Sequence, residues 1–152
     1  MDRYDYDFTK LENQICFPMY VASKEIIRHY RPFLKALDLT YTQYITLMVL
    51  DDEEKICVKD LGKKLFLDSG TLTPVLKNME TKGLVRRYRS TSDERVLFLE
   101  ITEKGREKKA QAKDIPQKVS DTIQFEKKDA EEMHRLLQIM TAVLKENIPQ
   151  KE

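Results

Sequence analysis

Between Val58 and Ile101 the apolar residues follow a helical period, then a second helical period, then a strict alternation, and this order admits very few folds. Val58, Leu61, Leu65 and Phe66 carry the first pattern, and a turn is expected around Asp68 and Ser69. Leu72, Val75 or Leu76, and Met79 carry the second, which predicts a helix to Glu80 or Thr81 with Ser69, Thr71, Thr73 and Lys77 on its opposite face. Pro74 fits such a helix only in its first turn, where a missing N–H costs nothing. Gly83 supplies a left-handed stop, with Leu84 behind it as a hydrophobic closure. Val85 to Arg89 and Val96 to Ile101 then read as two strands around the turn formers Ser90, Thr91, Ser92 and Asp93. Helix, turn, helix, glycine stop and hairpin in that order predict a mainly α protein with a small β wing, a winged helix-turn-helix over about residues 55–102.

Charge sharpens this reading. The whole chain of 152 residues is nearly neutral, with 27 Lys and Arg against 26 Asp and Glu. From Lys55 to Arg95 the balance is +5 and elsewhere it is −4, so the excess of positive charge is local. Such a window suits a polyanion. Short polar groups on the second helix can meet base edges in a major groove, and Lys77 can reach a phosphate or a guanine edge. Arg86, Arg87, Arg89 and Arg95 lie on a hairpin able to cross the backbone or probe a minor groove. Asp93 is out of place beside phosphate unless its carboxylate aims the guanidinium of Arg95. Each of these charges taken alone reads equally as a solvated surface residue.

The flanks predict further helices. Leu11, Ile15, Met19, Ala22 and Ile26 form one stripe, and Cys16, Tyr20, Ser23, Ile27 and Tyr30 form another. Two apolar stripes on a terminal helix suggest a second chain as partner. Pro18 places the start of this helix near Cys16 or kinks it there, and Arg31-Pro32 is expected to interrupt it. Thr40 caps a helix from about Tyr41 to Leu50 with Tyr44, Leu47, Met48 and Val49 inward, and Asp51 to Glu54 ends it as an acidic loop. Ile56, Cys57 and Val58 form a short β-prone run. Beyond Thr102 helix returns with a break near Pro116, and Met133, Leu136, Leu137, Met140, Val143 and Leu144 form a final stripe that reads as core and dimer seam.

Composition bounds the rest. One domain over residues 1–152 is the default at this length, and only the few terminal residues read as disordered. No apolar run reaches a membrane span and the first residues lack a signal-peptide pattern, so the expected setting is cytoplasmic, with both cysteines reduced. Cys16 and Cys57 form no Cys-x-x-Cys pair, and His29 and His134 stand apart from clustered carboxylates, so neither metal nor cofactor is expected.

At this point the residues resemble a known family. Leu67-Asp68-Ser69-Gly70-Thr71-Leu72-Thr73-Pro74, Lys82-Gly83-Leu84-Val85, Asp93-Glu94-Arg95 and Leu99-Glu100-Ile101-Thr102-Glu103-Lys104-Gly105 are similar to the multiple-antibiotic-resistance-regulator (MarR) type of winged-helix repressor. Leu11 to Phe17 with Tyr20 resembles its organic-hydroperoxide-sensing branch. The resemblance implies a homodimer built from helices within about residues 10–50 and 103–148, two recognition helices on a pseudo-palindromic double-stranded operator, and repression relieved by cysteine oxidation. It extends the candidate DNA-contacting set to Gly70 and Pro74. It makes Cys16 the sensor, with Tyr30 and Tyr41 bonding to it across the dimer interface and Tyr20 nearby. Cys57 does not match the position of a resolving thiol.

The chemistry implied is that of a thiolate favoured by phenolic donors and a helix N-terminus. Oxidation to a sulfenic acid and then to a mixed disulfide with a small thiol places bulk in the interface. Apolar neighbours Phe17, Met19 and Ile27 suit an organic peroxide. Without the resemblance, Cys16 reads as an inert buried thiol, and Cys57 reads as packing in either case. Two alternatives stay open: the same fold gated by a small phenolic ligand in a cleft, and a thiol-peroxidase-like enzyme, for which the sequence offers no resolving partner and no substrate cleft.

Overall fold

The computed structural model describes residues 7–51, 53 and 55–147. Asp52 and Glu54 of the expected acidic loop, and the terminal residues expected to be disordered, lie outside the described residues. The chain forms two compact units, Met1–Pro116 and Gln117–Glu152. Among the described residues no helix is long and apolar enough to cross a membrane.

A 3-10 turn at Leu11–Asn13 precedes α1, Cys16–Ala36. Of the two starts open at Pro18, the helix begins at Cys16, and the proline falls in its first turn, where no hydrogen bond is lost. The interruption expected at Arg31-Pro32 does not occur. Pro32 lies inside α1 and removes the bond to the carbonyl of Arg28, but the following turn delivers Leu34 into the core at 1% exposure. The helix stops where Asp38 adopts a left-handed backbone, φ 55°, and the N–H groups of Asp38 and Leu39 return to the carbonyls of Lys35 and Leu34.

The next helix, α2 (Tyr41–Asp51), is the centre of the first unit and touches α1, the two helices of the helix-turn-helix, the first helix after the wing and the central strand. Its start is a reciprocal capping box: the hydroxyl of Thr40 accepts from the N–H of Gln43, and the side chain of Gln43 accepts from the N–H of Thr40. Tyr44, Leu47 and Leu50 are buried and Val49 is half-buried. Met48, expected inward, is exposed: its side of α2 faces an open cavity rather than a packed neighbour.

Strand β1 is only Ile56–Cys57, because Val58 already opens α3, Val58–Leu65. Phe66, also expected inward, is exposed. It ends α3 in a left-handed conformation, φ 56°, and that reversal turns its ring out while Leu67 donates back to the carbonyl of Gly62. Helix α4, Ser69–Thr81, buries Leu72, Leu76 and Met79 as the periodicity predicts. Pro74, however, is its sixth residue rather than a first-turn residue. One backbone bond to Gly70 is forfeited, and burial of three large side chains on the other face outweighs it.

The stop at Gly83 forms as predicted, with φ 71° and paired bonds from Gly83 to Glu80 and from Leu84 to Met79. Strands β2 (Val85–Arg89) and β3 (Leu97–Ile101) pair antiparallel, with Arg87 opposite Leu99; Val96 belongs to the turn. The wing has three strands rather than two, in the order β1-β3-β2, because Ile56 pairs with Leu99.

Helix α5, Glu103–Gln111, is capped by Thr102, and α6 spans Ile115–Ile123. The break between them lies just before Pro116, which sits in the first turn of α6. In the second unit α7, Lys127–Asn147, carries the predicted stripe. As core, that expectation is not met within one chain, since Met133, Leu136, Leu137, Val143 and Leu144 are between 37% and 52% exposed. Likewise α1 leaves Phe17, Tyr20, Val21 and Ile27 exposed.

Candidate DNA interface and thiol site

All of Ser69, Gly70, Thr71, Thr73, Pro74 and Lys77 reach the surface of α4. Two of the hydroxyls are already engaged. Asp68 caps the helix, taking the N–H of Thr71 at 2.9 Å on one carboxylate oxygen and the Thr71 hydroxyl at 2.9 Å on the other. Thr73 donates its hydroxyl proton to the carbonyl of Ser69. A hydroxyl whose proton is committed presents lone pairs and a methyl outward, so Thr71 and Thr73 offer acceptors and apolar contact. The first turn is also not an open anion site. The Asp68 carboxylate occupies it, and the Thr71 backbone and side-chain bonds hold its pKa below the ordinary value.

The four hairpin arginines separate into distinct environments. Alternation along β2 puts Arg86 and Tyr88 on one face of the sheet and Val85, Arg87 and Arg89 on the other. Arg86 pairs with Glu100 across the strands, over the Tyr88 ring, and Tyr88 donates to the same carboxylate; both bonds hold Glu100 below its ordinary pKa. Arg87 pairs with Glu80 of α4 and is only 20% exposed in its side chain. Arg89 donates to the carbonyl of Glu94.

At the wing tip Asp93 holds Arg95 in a two-point pair, Nε at 3.1 Å and Nη2 at 3.2 Å, with Arg95 still 91% exposed in its side chain. The pairing lowers the Asp93 pKa, chiefly through the Arg95 side chain. An arginine so held is aimed and also accessible. Sequence reasoning did not single out Glu80 and Glu100, the carboxylates that hold Arg87 and Arg86; the only signal would have been acidic residues among basic neighbours.

Cys16 is the first residue of α1 and is exposed as a free thiol. Tyr20 lies one turn on, exposed, with Lys24 over its ring at 5.8 Å. Tyr30 and Tyr41 do come together, edge to face at 5.1 Å between ring centroids, and Tyr44 completes the cluster at 6.1 and 6.3 Å. The sequence marks Tyr44 only as core, although it lies one turn after Tyr41. Burial raises the pKa of Tyr30 and of Tyr44, and the neighbouring phenols add to it, so both rings stay protonated donors. The structure does not bring the cluster to Cys16 within one chain: fourteen residues of helix separate Cys16 from Tyr30, about 21 Å at 1.5 Å per residue.

Cys57 is half-buried and donates to Asp60 at 3.0 Å. His134 is on the surface beside Gln138, and among the described residues no cluster of metal-ligating side chains forms. A cavity of about 460 Å³ opens between α2 and α5, lined by Tyr44, Met48, Arg106, Lys109 and Lys113.

Comparison with known proteins places these features in context. Residues 28–112 match the family described as transcriptional regulator SarA/Rot. The chain is 42% identical over 146 residues to the organic hydroperoxide resistance transcriptional regulator of Bacillus subtilis (strain 168), covering 96% of this chain and 97% of that protein. The structure of reduced AbfR bound to DNA superposes with a TM-score of 0.78 at 30% identity, over 96% of this chain and 100% of that one. A mutant MarR from E. coli complexed with operator DNA shares the fold, with a TM-score of 0.70 at 23% identity over 80% and 89% of the two chains.

Proposed function

The chain belongs to the SarA/Rot family of MarR-type winged-helix proteins and is a DNA-binding transcriptional regulator rather than an enzyme, and from that premise we propose that it is a homodimeric repressor released from its operator by oxidation of Cys16. The observation that carries the proposal is the placement of an exposed thiol at one end of α1 and the clustered rings of Tyr30, Tyr41 and Tyr44 at the other. Antiparallel pairing of two such helices sets the thiol of one chain against Tyr30 and Tyr41 of the second. The likeness to a regulator of organic hydroperoxide resistance supports the choice of oxidant.

In this reading the Cys16 thiolate attacks the terminal oxygen of an organic hydroperoxide, the O–O bond breaks, and an alcohol leaves after taking up a proton. The resulting sulfenic acid condenses with a small thiol, releasing water and leaving a mixed disulfide. The added bulk displaces the phenols, and α2, which carries Tyr41 and touches α3 and α4, transmits the shift. Two recognition helices that no longer match successive major grooves lose the operator. On the DNA side, Ser69, Gly70, Thr71, Thr73 and Pro74 face the groove, Lys77 and Arg95 take phosphate or base edges, and Asp93 aims Arg95. Arg86 and Arg89 reinforce the backbone contact.

A second reading rests on the cavity between α2 and α5, where Arg106, Lys109 and Lys113 surround an apolar floor suited to a small phenolic anion. One experiment separates the two. A duplex selected by the reduced wild-type protein from a random-sequence pool is titrated before and after treatment with cumene hydroperoxide and free cysteine, in wild type and Cys16→Ser. Wild type is expected to lose affinity by at least about tenfold, equivalent to about 1.4 kcal/mol, while Cys16→Ser binds as before in both states. Unchanged wild-type binding after mass-verified oxidation of Cys16 sinks the switch, and an equal response in Cys16→Ser transfers it elsewhere.

A further inference from the structure

Glu80 and Arg87 face each other across the Gly83 stop, one in the last turn of α4 and the other in the middle of β2. Three bonds join them. The Glu80 carboxylate accepts from the Arg87 backbone N–H at 3.2 Å, from Nε at 2.8 Å and from Nη2 at 2.5 Å. β2 is an edge strand, so the backbone N–H that Glu80 occupies is one that β3 does not use. The carboxylate therefore closes the strand edge and immobilises the guanidinium together, and its pKa is held down chiefly by Arg87.

We propose that Glu80 and Arg87 are a positioning pair that fixes the wing against the recognition helix, and that Arg87 serves DNA recognition through this geometry instead of by contact with phosphate. Lys77 on α4 and Arg95 at the wing tip belong to different elements, and both reach one duplex only when the angle between those elements is set. The short turn at Gly83 alone allows rotation about its own backbone. The clamp removes that freedom. Gln43 gives the same helix a second tether from α2, donating to the Asn78 side chain at 2.7 Å, so α4 is held on the wing side and on the core side.

The two roles for Arg87 give opposite results when its partner is changed. Rotation held by a clamp depends equally on both members, whereas a phosphate contact gains when a neighbouring carboxylate is neutralised. Binding of the selected duplex is measured as a function of salt for the full-length Glu80→Gln, Arg87→Met and doubly substituted proteins, at a temperature where circular dichroism shows each to be folded. The clamp predicts a loss of about tenfold for each single change, no further loss in the double variant, and a salt slope equal to that of wild type. Wild-type or tighter binding by Glu80→Gln, with the slope of Arg87→Met reduced by about one unit per protomer, overturns the proposal. If Glu80→Gln does not fold, the exchanged pair Glu80→Arg with Arg87→Glu decides: recovered binding supports a clamp, and abolished binding in a folded protein refutes it. The inference rests on the DNA-binding reading, which fails separately if wild type selects no duplex.

Discussion

Replacing Gly105 by alanine is expected to destabilise the winged domain by at least about 3 kcal/mol. A Cβ built at this position would lie 2.2 Å from the carbonyl oxygen of Leu84 and 2.7 Å from the Ile101 side chain. Neither neighbour can retreat cheaply. Leu84 is held by the Gly83 stop and accepts from the N–H of Thr102, whose hydroxyl in turn donates to Gly83 and accepts from Gly105. Moving α5 away breaks this set of bonds together and exposes Leu84, now 2% exposed. Overpacking of this kind costs about 1–3 kcal/mol where the core can yield, and loss of the hydrogen-bonded junction adds to it. Against a total stability of about 5–15 kcal/mol, chemical denaturation should register a loss of at least about 3 kcal/mol. A loss below about 1 kcal/mol contradicts the geometry.

The second large effect concerns α7. Leu136, Leu137, Val143 and Leu144 recur at helical spacing and stay about half exposed in one chain, which is a costly surface for a helix with charged residues to spare. Under the dimer reading this stripe is a seam, and covering the exposed half of each leucine there contributes about 1 kcal/mol. Leu137→Glu puts an unpaired carboxylate into that contact. The expected result is a monomer in sedimentation equilibrium with its helical content kept. DNA affinity should fall at least about a hundredfold, because a single winged domain engages one half-site instead of two. A dimer of undiminished stability in this variant places the seam elsewhere.

What could be read from the sequence was whatever short-range geometry decides. The Gly83 stop and the Thr40 cap depend on residues within a turn of one another, and each forms with the partners its neighbours dictate. Pro32 and Pro74 mislead for the opposite reason. The lost bond is local and visible, whereas the burial of Leu34, Leu72 and Leu76 that outweighs it depends on distant segments. Met48 and Phe66 have core-like side chains at positions the fold leaves exposed.

The candidate sites divide in the same way. Asp93 and Arg95 are two residues apart, and their pairing followed from the sequence. The tethering of Arg87 to Glu80 did not, since it needs a helix and a strand brought together by the stop between them. Tyr30 and Tyr41 were matched by likeness to a family, but Tyr44 joins them only because two helices cross.

The length of α1 has a consequence for how such a protein behaves in mixtures. With Cys16 at its first residue and Tyr30 about 21 Å along, no chain owns a complete sensor under the proposed mechanism. Ownership is shared, and defects in the two halves are complementary. A chain lacking the thiol, joined to a chain lacking the phenols, makes a mixed dimer with one site restored and one doubly empty, so two silent alleles in one cell recover half a switch.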